Sequence, residues 1–311
     1  MIRLLLAGVL CAVSLTGSAA EDGFSSPLPA ATRPMRFEAP PGGPLAFRGA
    51  VSVRPPFAAF GGLSGLAMET PDTAIGVSDK GRWLRLKLRI EGGRLRGVEE
   101  ASEAPLLDLS GRPWPSGGRD AEGVARDEAS GRLWVSFEGW HRLQAYDAPG
   151  GPSAAILEAP EWAGFSENGG LEALALAPDG ALWAIREAAA GDEFPIWVGG
   201  AAGWSRKHLP RRGPFRPTDA DFGPDGWLYV SERAFSFIGG FRFRLRRFRW
   251  GDGAAPVAEE EVLSFGVESY IDNIEAVTIW RRDDRTYLLI ASDDNFFLLQ
   301  HTVLAMYEVR G

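Results

Sequence analysis

Cysteine is almost absent from this 311-residue chain: Cys11 stands alone. It lies in an N-terminal stretch with the character of a cleavable leader, so the mature protein is expected to carry no thiol. Disulfide staples, thiolate nucleophiles and cysteine-ligated zinc are excluded with it. Histidine is nearly as scarce. His141, His208 and His301 are scattered, without the spacing of a zinc site. No Gly-x-Ser-x-Gly elbow occurs; Gly61-Gly62-Leu63-Ser64-Gly65 departs from it and no helix follows. The glycine patterns of P-loops and dinucleotide folds are missing. Positive charge is in deficit, 33 Lys and Arg against 41 Asp and Glu, a formal net charge of −8. That balance argues against nucleic acid or an anionic membrane surface as partner. Sustained 3.6-residue periodicity is also missing, so helix is expected to be rare.

What is present begins with the leader. Arg3 precedes an apolar run, Leu4 to Leu15, too short to span a bilayer, and Ser18-Ala19-Ala20 offers small residues for cleavage. Residues 1–20 are therefore expected to be a signal peptide, the mature chain to start at Glu21 without a transmembrane segment, and the protein to be periplasmic or secreted. Residues 21–44, rich in Pro, Ala, Ser and Gly, read as a flexible mature tail or an extended wrap, mostly without regular structure. Residues 45–311 read as one domain.

That domain repeats itself. An apolar strand, a tight polar turn, a second strand and a polar end recur five times. The units start at Leu63-Ser64-Gly65-Leu66, Ala121-Glu122-Gly123-Val124, Leu171-Glu172-Ala173-Leu174, Thr218-Asp219-Ala220-Asp221 and Ile274-Glu275-Ala276-Val277. With Ser64, Glu122, Glu172, Asp219 and Glu275 taken as equivalent, the steps are 58, 50, 47 and 56 residues. Ala177-Pro178-Asp179-Gly180 and Gly223-Pro224-Asp225-Gly226 place proline and glycine as hairpin turns require. Two further strand-like stretches follow each hairpin, and four strands make one propeller blade. The fold expected is an all-β propeller of five blades, with six as the alternative; a β-sandwich would not repeat one hairpin five times. The fifth unit lacks a fourth strand, and Leu45 to Val53 is expected to supply it and close the ring. Phe241 to Arg246 alternates apolar and cationic, as an outer strand would.

Antiparallel pairing sets the start of each first strand beside the end of its second. Glu122 then neighbours Glu138, Glu172 neighbours Glu187, Asp219 neighbours Glu232, and Glu275 neighbours Asp293. First strands line the central channel, so carboxylates are expected around one mouth. Glu122, Glu172, Asp219, Glu275 and Asp293 are the candidate ligands of a divalent cation, Ca²⁺ first, since crowded carboxylates need compensation and oxygen-rich sites select hard ions. The same residues could instead hold blade register by accepting backbone N–H groups. Lys80, Arg119, Arg186 and Arg233 stand beside the acids and are the candidates for holding an anionic small-molecule substrate. Asp79, Glu138, Glu187, Glu232 and Asn273 complete the expected mouth. No nucleophile is identified.

The ordered series of motifs resembles the phytase-like β-propeller family known for "esterase-like activity of phytase". It is carried by Gly62 to Leu66, Arg119 to Ala125, Gly170 to Ala175, Arg216 to Ala220 with Ser231-Glu232-Arg233, and Asp272 to Val277 with Ser292 to Phe296. The resemblance implies an exported bacterial protein that hydrolyses esters, phosphate esters included. Propeller phytases, to which the layout is similar, use calcium, acidic clusters and cations at the channel mouth. Three functions follow as alternatives: a metal-dependent hydrolase of an ester or phosphoester, a non-catalytic binding propeller, and a lactonase-like sugar hydrolase with one central ion, for which Asn168, Asn273 and Asn295 are available.

Overall fold

The computed structural model of the protein describes residues 22–37, 43–236, 240–266, 273–293 and 302–310. The leader, His301 and Asn295 lie outside them. Among the described residues no helix is long and apolar enough to cross a membrane.

Five antiparallel sheets form a five-bladed propeller. The innermost strands are Leu63–Thr70, Ala121–Arg126, Leu171–Leu176, Arg216–Phe222 and Ile274–Arg282. Each packs against the next, and the fifth against the first. Contact is close: a Cβ on Gly65 would sit 2.8 Å from the Glu122 carbonyl oxygen, and one on Gly123 2.9 Å from that of Glu172. The first two inner strands therefore need glycine where they meet the next blade. The Pro-Asp-Gly turns form as expected. Gly180 and Gly226 adopt φ of 85° and 77°, and the Asp179 and Asp225 carboxylates accept the N–H groups of Ala181 at 3.0 Å and Trp227 at 3.2 Å.

One apolar cluster fills each of the five gaps between blades. Alternation along every strand sends one face into each gap, so both faces of a blade are buried. Leu45–Val53 pairs antiparallel with Thr302–Val309 and completes the fifth blade, as the missing fourth strand required. Gly240–Trp250, which contains the Phe241 to Arg246 alternation, differs from the expectation of an outer strand. It is paired on both sides, and Arg244 and Arg246 are buried against Glu232.

Of the two expected forms of the segment before the domain, a tail or a wrap, the structure shows the wrap, with more regular structure than expected. Leu28–Pro29 adds a strand to the first blade and Thr32–Met35 adds one to the fifth. Phe24 is buried in the gap between blades one and two, under the Arg85 guanidinium at 3.8 Å, and Asp22 pairs with Arg85 at 2.5 Å. Phe37 enters the gap between blades four and five. Proline and alanine suit an edge strand that wraps, and two phenylalanines anchor it. Phe24→Ala is expected to destabilise the protein by about 3–5 kcal/mol, read as a drop in the midpoint of denaturant unfolding. An unchanged midpoint would show that the strap does not hold the blades.

Candidate functional site

Pairing between the first and second strands of each blade skips one position near the mouth. The skipped residues are Ser64, Glu172, Thr218 and Glu275 in blades one, three, four and five; blade two skips both Glu122 and Gly123. Such bulges re-aim a side chain while the ladder continues. The equivalent set is therefore Ser64, Glu122, Glu172, Thr218 and Glu275: three carboxylates and two hydroxyls. Asp219 is one residue out of register with the others, and in a strand one residue changes the face. It is fully buried, and its carboxylate accepts the Val277 N–H at 2.9 Å and the Ala220 N–H at 2.9 Å, so it ties the fourth inner strand to the fifth. Asp221 does the same two residues on, through Ile279 N–H at 2.7 Å and the Thr278 hydroxyl at 3.1 Å.

The shift propagates to the second strands. The residues beside the mouth are Asp79, Glu138, Glu187, Arg233 and Asp293. Glu232 is displaced from that row. It is fully buried and clamped by Arg244 at 2.6 Å and Arg246 at 2.5 Å, a structural ion network away from the mouth. Arg233 takes the carboxylate position instead and binds Asn273 Oδ1 and Glu275 Oε1.

The mouth then divides by chemistry. On the second-blade side, Asp120, Glu122 and Glu138 bring carboxylate oxygens within 4.8 Å of one another. Burial and the like charges of Glu172, Asp120, Glu138 and Glu275 push the Glu122 carboxyl well above the usual range. Burial, with Asp79 and Glu138, raises Asp120, which also hydrogen-bonds Glu122. Asp79 Oδ1 lies buried beside them without a hydrogen-bond partner, while its other oxygen takes Lys80 Nζ at 2.8 Å. One Glu138 oxygen is already used: it accepts Gly169 N–H at 2.8 Å and Gly170 N–H at 2.5 Å, at the start of the third inner strand. Asp293 likewise accepts Leu63 N–H at 3.1 Å, joining the fifth blade to the first. Glu138, Asp219 and Asp293 thus serve register, Glu138 with an oxygen to spare. An all-oxygen donor set, an unpartnered buried carboxylate oxygen and three mutually repelling acids fit a hard divalent cation.

On the opposite side, Arg211, Arg216 and Arg233 line a cavity of about 610 Å³ with Glu187, Phe235, Phe241 and Asn273. Arg216 pairs with Glu187 at 3.4 Å. Between the two halves, burial raises Glu275 to about 7 against the opposing pull of Arg233. Burial and the charges of Glu138, Glu187 and Glu275 raise Glu172 well above its ordinary value. Of the expected cations, Arg233 alone joins this cavity. Arg186 turns to the Gly169 carbonyl at 3.0 Å and the Phe165 ring at 3.9 Å, and Arg119 makes no ion pair among the described residues.

Asp120, Arg211 and Arg216 are missing from the expectation drawn from sequence. A signal for Asp120 and Arg216 was present. The two Pro-Asp-Gly turns stand 46 residues apart, Pro178 to Pro224. Counting from them superposes Thr218 on Glu172, Arg233 on Glu187, and Arg216 on Gly170, the residue that precedes the third inner strand as Asp120 precedes the second. Matching acid to acid instead produced the slip in blade four.

A model of the family described as "Phytase-like: Esterase-like activity of phytase" matches residues 58–296. No curated protein matches the chain. Solved structures similar to it include a putative gluconolactonase, 13% identical over 88% of this chain and 95% of that one, TM-score 0.46. A luciferin-regenerating enzyme is 11% identical over 82% and 94%, TM-score 0.40. The hydrazine synthase of Kuenenia stuttgartiensis is 12% identical over 79% and 71%, TM-score 0.43. Likenesses of this degree do not bear on chemistry.

Proposed function

Because the chain belongs to the phytase-like family, we propose that it is an exported, divalent-metal-dependent hydrolase of an ester or phosphoester, acting at the channel mouth. The observation that carries this reading is the convergence of Asp120, Glu122 and Glu138 across the mouth from a cavity lined by three arginines. Asp120, Glu122 and Glu138 would hold the ion, Ca²⁺ by donor type, with Asp79 beside them. Bound there, such an ion supplies Lewis acidity to the scissile ester or phosphoryl group.

The chain's own residues do the rest. Arg211 and Arg216 orient an anionic group by charge-assisted hydrogen bonds. Arg233 keeps Glu275 in place through the Glu275 and Asn273 contacts. A Glu275 carboxyl titrating near 7 can give or take a proton at neutral pH, as a general acid or base must. Burial and its acidic neighbours favour the protonated form of Glu172 beside it, which limits the negative charge that an anionic substrate meets.

Protein purified from the periplasm without chelator is expected to carry one divalent ion per chain by elemental analysis and to hydrolyse 4-nitrophenyl acetate or phosphate. Glu122→Gln should lose the ion and lower the rate by about 100-fold or more. An ion-free wild type, or Glu122→Gln at full activity, would refute the reading and favour a binding propeller.

A further inference from the structure

We propose that the aromatic cleft between blades two and three binds a carbohydrate ring, at a site separate from the carboxylates of the channel mouth. One wall is the turn that follows Glu138 and carries Trp140 and His141. The other is the connection into blade three, with Glu158, Trp162 and Phe165. Together they enclose about 610 Å³, within the ~300–1,000 Å³ usual for small-molecule sites.

Trp140 is the ring that a ligand would meet. It is 43% exposed, yet it is held on three sides. Its indole N–H donates to Glu158 Oε1 at 2.6 Å. The Arg142 guanidinium covers one face at 4.5 Å, and Trp114 meets it edge-on with centroids 5.6 Å apart. A large aromatic fixed in place with a face left to solvent is a stacking platform formed in advance, so little side-chain entropy is lost on binding.

The polar groups of the cleft say what stacks there. His141 is 6% exposed. Its Nε2 lies 2.9 Å from the Ser166 carbonyl oxygen. A carbonyl only accepts, so Nε2 carries the proton, and Nδ1 is buried against Gly170 rather than open to the cleft. The Trp162 indole N–H is buried as well, so Glu158 is the polar group that a ligand meets. Glu158 forms no ion pair among the described residues, and its second oxygen can accept. A purely apolar ligand would strip water from that Glu158 oxygen and leave it unpaired, at a cost in affinity. An organic cation would stack on a ring whose π-system already serves Arg142, and would add a second positive charge close to that guanidinium. A sugar ring suits what the cleft presents: its C–H face lies on Trp140 and a hydroxyl donates to the second Glu158 oxygen.

The test is calorimetric titration of the full mature chain with maltohexaose, cellohexaose and chitohexaose, and with choline as the cation. At least one oligosaccharide is expected to bind saturably. Trp140→Ala should weaken it by at least about tenfold at an unchanged melting temperature, because Trp140 lies largely outside the core. Glu158→Gln is the second variant and should weaken the same sugar. Glu122→Gln and chelator should leave sugar binding untouched, which separates this site from the proposed metal site. Failure of all three sugars, sugar binding that survives both Trp140→Ala and Glu158→Gln, or choline binding lost with Trp140→Ala would each overturn the proposal.

Discussion

A chain beginning at Arg54 is expected to lose cooperative unfolding altogether, although it keeps every residue of the channel mouth. Leu45–Val53 contributes the last strand of the fifth blade, and Leu45, Ala50, Val51 and Val53 are buried. Burial of a large aliphatic side chain is worth about 1.5–3 kcal/mol, and whole domains are stable by only ~5–15 kcal/mol. Removal of this strand, with the strap before it, takes away apolar contacts in three of the five gaps between blades. It also bares the hydrogen-bonding edge of Thr302–Val309, an open invitation to pairing between chains. The measurement is denaturant unfolding with sedimentation. Monomeric, cooperative unfolding of the shortened chain would show that the ring closes without the N-terminal strand. Recovery of the native transition on adding a peptide of residues 22–53 would confirm closure by pairing rather than by chain length.

The ring was legible because each blade repeats a local pattern that physics fixes residue by residue. Glycine at positive φ and proline at φ near −65° mark the turns, and alternation marks the strands. Closure was legible by subtraction, since a four-stranded blade with three strands at one end of the chain needs a fourth from the other. The strap was legible only as one of two alternatives, a tail or a wrap. Its composition is that of a linker, and Phe24 and Phe37 are anchors only because of the clefts they find. The site was legible as a mouth but not in its detail. Glu122, Glu172, Glu275, Glu138 and Arg233 were identified as mouth residues, and the structure brings them there. The slip at Asp219 and Glu232 arose because a bulge leaves no mark in composition: Thr218-Asp219 and Glu232-Arg233 offer an acid at either register. The two outcomes differ in what they need. Asp219 requires backbone N–H partners from blade five and Glu232 requires Arg244 and Arg246, all distant in sequence. The metal-or-register alternative posed by the sequence divides in the structure by residue. Backbone N–H groups of the next blade are bound by Asp219, Asp293 and one oxygen of Glu138, while the Glu122 carboxyl is raised by burial and by the acids around it.

That division predicts an inverted pH profile of stability in metal-free protein. Burial raises Glu275 to about 7, with Asp293 and Glu187 adding to it, and burial raises Asp221 to about 7 as well. Glu122, Glu172 and Asp219 are shifted in the same direction. A carboxyl whose pKa is higher folded than unfolded keeps its proton in the native state after the unfolded chain has lost it. The native state then binds more protons, and stability falls as pH rises. For Glu275 and Asp221 the contribution is complete below the unfolded values near 4 and is lost by the time pH has passed 7. For Glu275 the shift from 4.5 to about 7 corresponds to on the order of 3 kcal/mol between the two protonation states. In the presence of chelator the melting temperature is therefore expected to be several degrees higher at pH 5 than at pH 8. Calcium should reverse this at pH 8, where ionised carboxylates can take the ion, and at ~100-fold excess over Kd the gain is ~2.7 kcal/mol. At pH 5 the same calcium should do little, because protons compete for the oxygens. Two variants separate the contributions. Glu122→Gln should abolish the calcium response and reduce the pH slope. Asp221→Asn, at the far end of the channel, should reduce the pH slope and leave the calcium response intact. A melting temperature indifferent to pH, calcium and chelator alike would mean that the mouth carboxylates are compensated by the protein itself, and the proposed metal site would fall with that result.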